Sequence, residues 1–297
     1  MKYLISIFVL LLATSVVQSQ ETCATPVKPS FTAPVEDELK TKLAEAKQEY
    51  EKDPSNNDAI IWYGRRTAYL GNYEEAIEIF SKGITVHPQD ARLYRHRGHR
   101  YITLRCFDKA IADFEMAARL VKGKKDEVEP DGMPNAQNIP TSTLQSNIWY
   151  HLGLAYYLQA DFEKAVNAFK TGLKVSTNAD MYVATTNWLN LSLLRVGNQN
   201  ESKKLLKSIS KDIQLIENED YLKILLLYKE DKPCSYGTLD NQVASLSSAT
   251  LEFGKGSYCL LKGNKHQAKT IFQNIIKGNQ WASFAYIAAE QELKRLN

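Results

Sequence analysis

The chain has 297 residues, 44% hydrophobic and 24% charged, with 37 basic and 34 acidic side chains and a formal net charge of +3. A balance this near neutrality excludes the diffuse basic excess that draws proteins to nucleic acid or to anionic membrane surfaces, so any partner has to be recognised locally. The four cysteines, Cys23, Cys106, Cys234 and Cys259, form no CxxC pair and no zinc-ligand spacing.

Met1 and Lys2 precede an apolar run from Leu4 to Leu12, and Val17 and Ser19 suit a signal peptidase cutting before Gln20. Residues 1–19 are therefore read as a secretory signal peptide and the mature chain as exported, periplasmic or secreted. No later stretch approaches the roughly 20 apolar residues of a spanning helix, so no stable membrane insertion is expected. An oxidising compartment permits disulfides, and Cys234 with Cys259 is the candidate pair, the other reading being buried, reduced thiols. Residues 20–35 hold three prolines and little periodicity, which predicts a flexible tether. Residues 36–52, rich in Glu, Lys and Ala, predict an amphipathic capping helix that Pro54 ends.

A repeat begins there. Gly64, Tyr73, Ala76 and Phe80 return as Gly98, Phe107, Ala110 and Phe114 after 34 residues, and as Gly153, Phe162, Ala165 and Phe169 after a further 55. Each unit predicts two helices, the first with a small residue where a neighbour approaches closely, the second with an alanine and an aromatic on one face. The units span about 57–90, 91–124 and 146–178, with weaker copies at 180–211 and 248–279. The extra 21 residues before the third unit fall in 123–143, a proline- and glycine-containing stretch that predicts a long loop, either a flap over one face or a loose connector. Tyr221 to Tyr228 predicts a buried helix, Asp231 to Asn241 a loop, and 280–296 a C-terminal capping helix with an apolar stripe of Trp281, Phe284, Ala285, Ala288 and Leu293.

This 34-residue pattern resembles the tetratricopeptide repeat family, most closely over residues 58–177. The resemblance implies an all-α, right-handed superhelical solenoid of antiparallel helix pairs with capping helices at both ends. The order of segments such as "IWYGRR", "RHRGHRY" and "GNQWASFAYIAAE" is also similar to a group of exported bacterial repeat proteins, which implies a fold and no mechanism.

In that family the first helix of each pair lines a concave groove. The resemblance therefore places Arg92, Arg95, His96 and His99 in the groove, with Trp62, Arg65 and Tyr69 from the unit before and Tyr150, His151 and Tyr157 from the unit after. Arg97 falls on another face and predicts a carboxylate partner. A basic strip edged by aromatics predicts recognition of an acidic peptide or protein segment, the alternative being a small anion or acidic glycan held by Arg92, Arg95 and His99. Relatives that clamp a chaperone's terminal carboxylate use Lys, Asn, Asn, Lys and Arg where this chain has Ile61, Arg65, His96, Asn147 and His151, so that device is not expected. No HExxH, GxSxG, phosphate loop or GxGxxG is present, and arginines beside His96 and His99 would repel a metal cation. The expectation is a non-enzymatic interaction scaffold with neither metal nor cofactor. Histidines beside arginines should resist protonation, and acidification from roughly pH 7 to 5.5 is expected to charge the groove further and tighten acidic ligands.

Overall fold

The computed structural model describes residues 23–234 and 245–296, and the whole of the 1–19 leader and the end of the 231–241 loop lie outside them. Thirteen helices and no strand occur among the described residues. Five antiparallel pairs form the solenoid: α2 (Asn57–Tyr69) with α3 (Tyr73–Val86), α4 (Ala91–Thr103) with α5 (Phe107–Val121), α6 (Leu144–Leu158) with α7 (Phe162–Val175), α8 (Ala179–Arg195) with α9 (Gln199–Leu206), and α11 (Leu246–Leu261) with α12 (Lys265–Ile276). Helix α1 (Ala33–Lys52) packs on α2, α10 (Glu219–Glu230) lies between α8 and α11, and α13 (Phe284–Leu296) packs on α12, α11 and α6.

The repeated glycines explain the pairing. A Cβ on Gly64 would stand 2.5 Å from Phe80, one on Gly98 3.0 Å from Phe114, and one on Gly153 2.5 Å from Phe169. Each first helix thus lies directly on the phenylalanine of its own second helix, at or inside the closest approach a Cβ there could make. These three rings are at most 1% exposed. Short polar side chains start the helices: Asn56, Asp90, Asp161, Asn178, Asn198 and Asn264 each accept a backbone N–H of the first turn, and Thr143 and Ser245 form capping boxes.

Several expectations change. Residues 23–32 are not a free tether: Cys23 is bonded to Cys106, the Ala24 N–H donates to the Leu104 carbonyl at 2.7 Å, and Gly71 packs against Lys28 and Pro29. The first helix starts at Ala33, with Pro34 in its first turn, where a missing N–H costs nothing. Two disulfides exist, Cys23–Cys106 and Cys234–Cys259. The second helix of the fourth pair is only eight residues long. The chain beyond it is fixed by the buried carboxylate of Asp180, which accepts the backbone N–H groups of Ile216, Glu217 and Asn218. Helix α13 does not simply cap an end, because its side chains reach back across the concave face to α4, α6 and α8.

Candidate functional site in the concave groove

The stripe on α4 divides into three environments. Arg92, at the first turn, is held by Asp90 at 2.6 Å and Asp58 at 2.7 Å, and those hydrogen bonds raise its pKa. Arg95 and His96, 8% and 5% exposed, lie under the 123–143 loop. His99 packs 4.7 Å from the His151 ring and 5.3 Å from Phe284. Arg92, Arg95 and His99 therefore do not converge on one free anion. Arg97, on the other face, makes a two-point pair with Asp113 at 2.7 and 2.8 Å.

The loop is built to lie in the groove. Its base is a short antiparallel bridge, Val128 to Thr143, reinforced by Glu129 N–H to Ser142 O at 3.2 Å and Leu144 N–H to Glu127 O at 2.9 Å. From there Glu129 reaches Arg95 at 3.0 Å, stands 3.6 Å from His96 Nε2, and accepts Asn147 Nδ2 at 3.1 Å. Arg65 donates to the Pro130 carbonyl at 2.8 Å and to Tyr69 Oη at 3.3 Å, and Arg66 donates to the Gly132 carbonyl at 2.7 Å. Both guanidiniums also lie against the Trp62 ring, 4.4 and 4.9 Å from its centre, so one aromatic side chain helps orient two donors. Gly132 sits so close to Tyr69 that a Cβ there would overlap the phenol.

His151 and Tyr157 are interior rather than a groove wall, and Tyr150, 7% exposed, shows only an edge to the groove's open cavity. Tyr150 Oη accepts Trp188 Nε1 at 3.0 Å and meets Tyr221 Oη at 3.2 Å, and burial raises its pKa. His151 donates Nδ1–H to the Asn147 carbonyl at 2.6 Å and stacks on Phe114. Tyr157, 1% exposed, meets Glu292 of α13 at 3.2 Å. Burial, then neighbouring arginines, hold His96, His99 and His151 well below the usual imidazole pKa. Arg100, whose guanidinium lies 5.8 Å from the centre of the Tyr73 ring, is pushed down to about 10, chiefly by burial.

Helix α13 closes the other half of the groove. Glu292 bonds Arg195 at 2.7 Å and Arg295 at 2.8 Å, and Arg295 caps α6 through the Leu158 carbonyl at 2.5 Å. Arg105 bonds Glu290 at 2.8 Å and lies 3.8 Å over the ring of Trp281, which stacks on Tyr73. What stays open is a cavity of about 570 Å³ bordered by Arg65, Asp131, Tyr150, Glu217, Tyr221 and Phe284. The sequence reading missed Arg66, Arg105, Glu129 and Glu292. Only Arg105 left a signal, standing 34 residues after Gly71 at a turn position that three of the other four units fill with glycine.

Residues 146–178 match the model of the tetratricopeptide repeat. No curated protein matches the sequence. Similar solved structures include YrrB, described as a tetratricopeptide-repeat protein with an unusual peptide-binding site, at 14% identity over 79% of this chain and 92% of that one, with a TM-score of 0.44. A thermophilic tetratricopeptide-repeat protein of Thermus thermophilus is 15% identical over 65% of this chain and 93% of that one, with a TM-score of 0.47. A structure of MamA is 16% identical over 67% and 95%, with a TM-score of 0.46. The tetratricopeptide repeat is matched over α6 and α7, and the same glycine-on-phenylalanine pairing recurs in the two units before it.

Proposed function

We propose that the chain is an exported, non-enzymatic interaction scaffold of the cell envelope whose concave groove holds an acidic segment of a partner protein. One observation carries the reading. An acidic stretch of the chain itself, Glu129 to Gly132, already lies in the groove with its carboxylate on Arg95 and its carbonyls on Arg65 and Arg66. Guanidiniums oriented by an aromatic face are the chemistry of carboxylate and peptide capture. Export is supported by the apolar leader and by two disulfides, which persist in oxidising compartments. N-terminal sequencing of the native protein should begin at Gln20, and a chain still starting at Met1 would remove the export reading.

A photoreactive residue in place of Tyr69, in the groove, is expected to crosslink a partner in envelope preparations. The same residue in place of the exposed Lys174 on α7 should not. Capture should fall when Arg66 is changed to Glu and as salt is raised, because rim ion pairs are screened. Equal capture from both positions would place recognition elsewhere.

A further inference from the structure

We infer that the groove reads a Glu-x-x-Gly segment, and that the 127–133 loop is a competitor in cis for the partner segment that carries it. The inference rests on the groove reading above and specifies what the groove selects. Three contacts define the selection. Arg95 and Asn147, with His96 alongside, fix one carboxylate, that of Glu129. Arg65 and Arg66 take the carbonyls one and three residues further on, Pro130 and Gly132, which requires a backbone that sets those two carbonyls at a matching spacing. Tyr69 excludes any side chain at the last of these positions. Pro130 is itself exposed, so its identity is not read, and Asp131, only partly covered, adds a longer-range attraction to Arg65 and Arg95.

The neutral tautomer of His96 fits the same frame. Its Nδ1 accepts from Arg95 at 3.0 Å, which leaves the Nε2 hydrogen pointing towards the Glu129 carboxylate at 3.6 Å. Arg65, Arg66, Arg95, His96 and Asn147 thus converge on one carboxylate and two carbonyls. The loop that supplies them adds little apolar packing, since Val128, Met133 and Ile139 are 63%, 63% and 46% exposed, and its bonds outside the seat gather at its base, on Val128, Thr141 and Thr143. Such a segment is held by the seat more than by packing, which is the condition for exchange with an equivalent segment of another chain.

The test uses a fluorescein-labelled Val-Glu-Pro-Asp-Gly-Met peptide, followed by anisotropy against the full mature chain. Gly132→Val unseats the loop by its clash with Tyr69 while leaving every seat residue in place. This variant should bind the peptide at least tenfold more tightly than the wild type. A peptide with Gln for Glu should lose tenfold or more, and one with Val for Gly should not bind. Should Gly132→Val fail to fold, excision of residues 122–142 restores the 34-residue spacing between Phe114 and Phe169 and gives the same open seat. No binding to either open variant, equal binding of the Glu and Gln peptides, or equal affinity in wild type and open variant would overturn the inference. Were the peptide to fail while crosslinks from position 69 still capture a partner, the motif would fall and the groove reading would stand.

Discussion

Ala160 stands at φ 69 in a turn where Gly71, Gly197 and Gly263 have φ of 81, 76 and 83. All these turns close in one way: Ala160 N–H to Tyr157 O and Asp161 N–H to Tyr156 O repeat the Gly71 to Ala68 and Asn72 to Thr67 bonds. The left-handed conformation costs an L-residue about 1–2 kcal/mol, and glycine's greater unfolded-state freedom returns about 0.4–1 of that. Ala160→Gly should therefore stabilise the chain by roughly 0.5–1 kcal/mol in urea unfolding. Arg105, at φ 59, is the informative contrast. Its strain is offset by the Glu290 pair, the Trp281 carbonyl and the Trp281 ring, so Arg105→Gly should destabilise although it relieves the same backbone. Stabilisation by both substitutions would mean that the Arg105 contacts contribute nothing. The departure from glycine at position 105 was readable in the sequence. Its partners, 176 and 185 residues away, were not, because no local pattern records which distant segment meets a guanidinium.

At the scale of elements, the glycine and phenylalanine spacing made the first three helix pairs legible, since each pair is closed by contacts within one repeat. The destinations of the two segments outside the repeat were hidden. The 123–143 loop and α13 both fold onto the concave face, and their apolar composition alone is compatible with a connector or an end cap. What places α13 is charge: Glu292, 1% exposed, answers Arg195 on α8 and Arg295 on its own helix. Removing one partner of a buried pair leaves an uncompensated charge and costs about 3–5 kcal/mol. Glu292→Gln is expected to fall in that range in chemical denaturation, and limited proteolysis should then cut between α12 and α13 first. A loss under about 1 kcal/mol, with unchanged cleavage, would show that α13 is held by its apolar face alone.

Across the whole molecule, the concave face gathers three histidines that the fold keeps neutral, and this sets an acid limit on stability. Phe80 stacks on His96, Phe114 on His151, and Phe284 covers His99 and His151, while Arg65, Arg95 and Arg100 supply the nearby positive charge and Glu129 the facing carboxylate. Their folded pKa values lie below the ordinary value of 6.5, so between 6.5 and the folded values the unfolded chain binds more protons than the folded one. Stability is complete above pH 6.5 and is lost as pH falls through that window. Each histidine contributes at most about 1.4 kcal/mol per pH unit, less where the three are coupled. Acidification thus loosens the groove instead of tightening an acidic ligand within it, the reverse of what the sequence pattern alone led one to expect. Urea midpoints should hold from about pH 7.5 to 6.5 and fall from there to about pH 5, and His99→Gln, which keeps a polar side chain but cannot titrate, should flatten that slope by roughly a third if the three contribute equally. A midpoint that holds constant or rises on acidification would mean that the histidines take up protons in the folded chain, with Glu129 as the group close enough to receive the charge at His96.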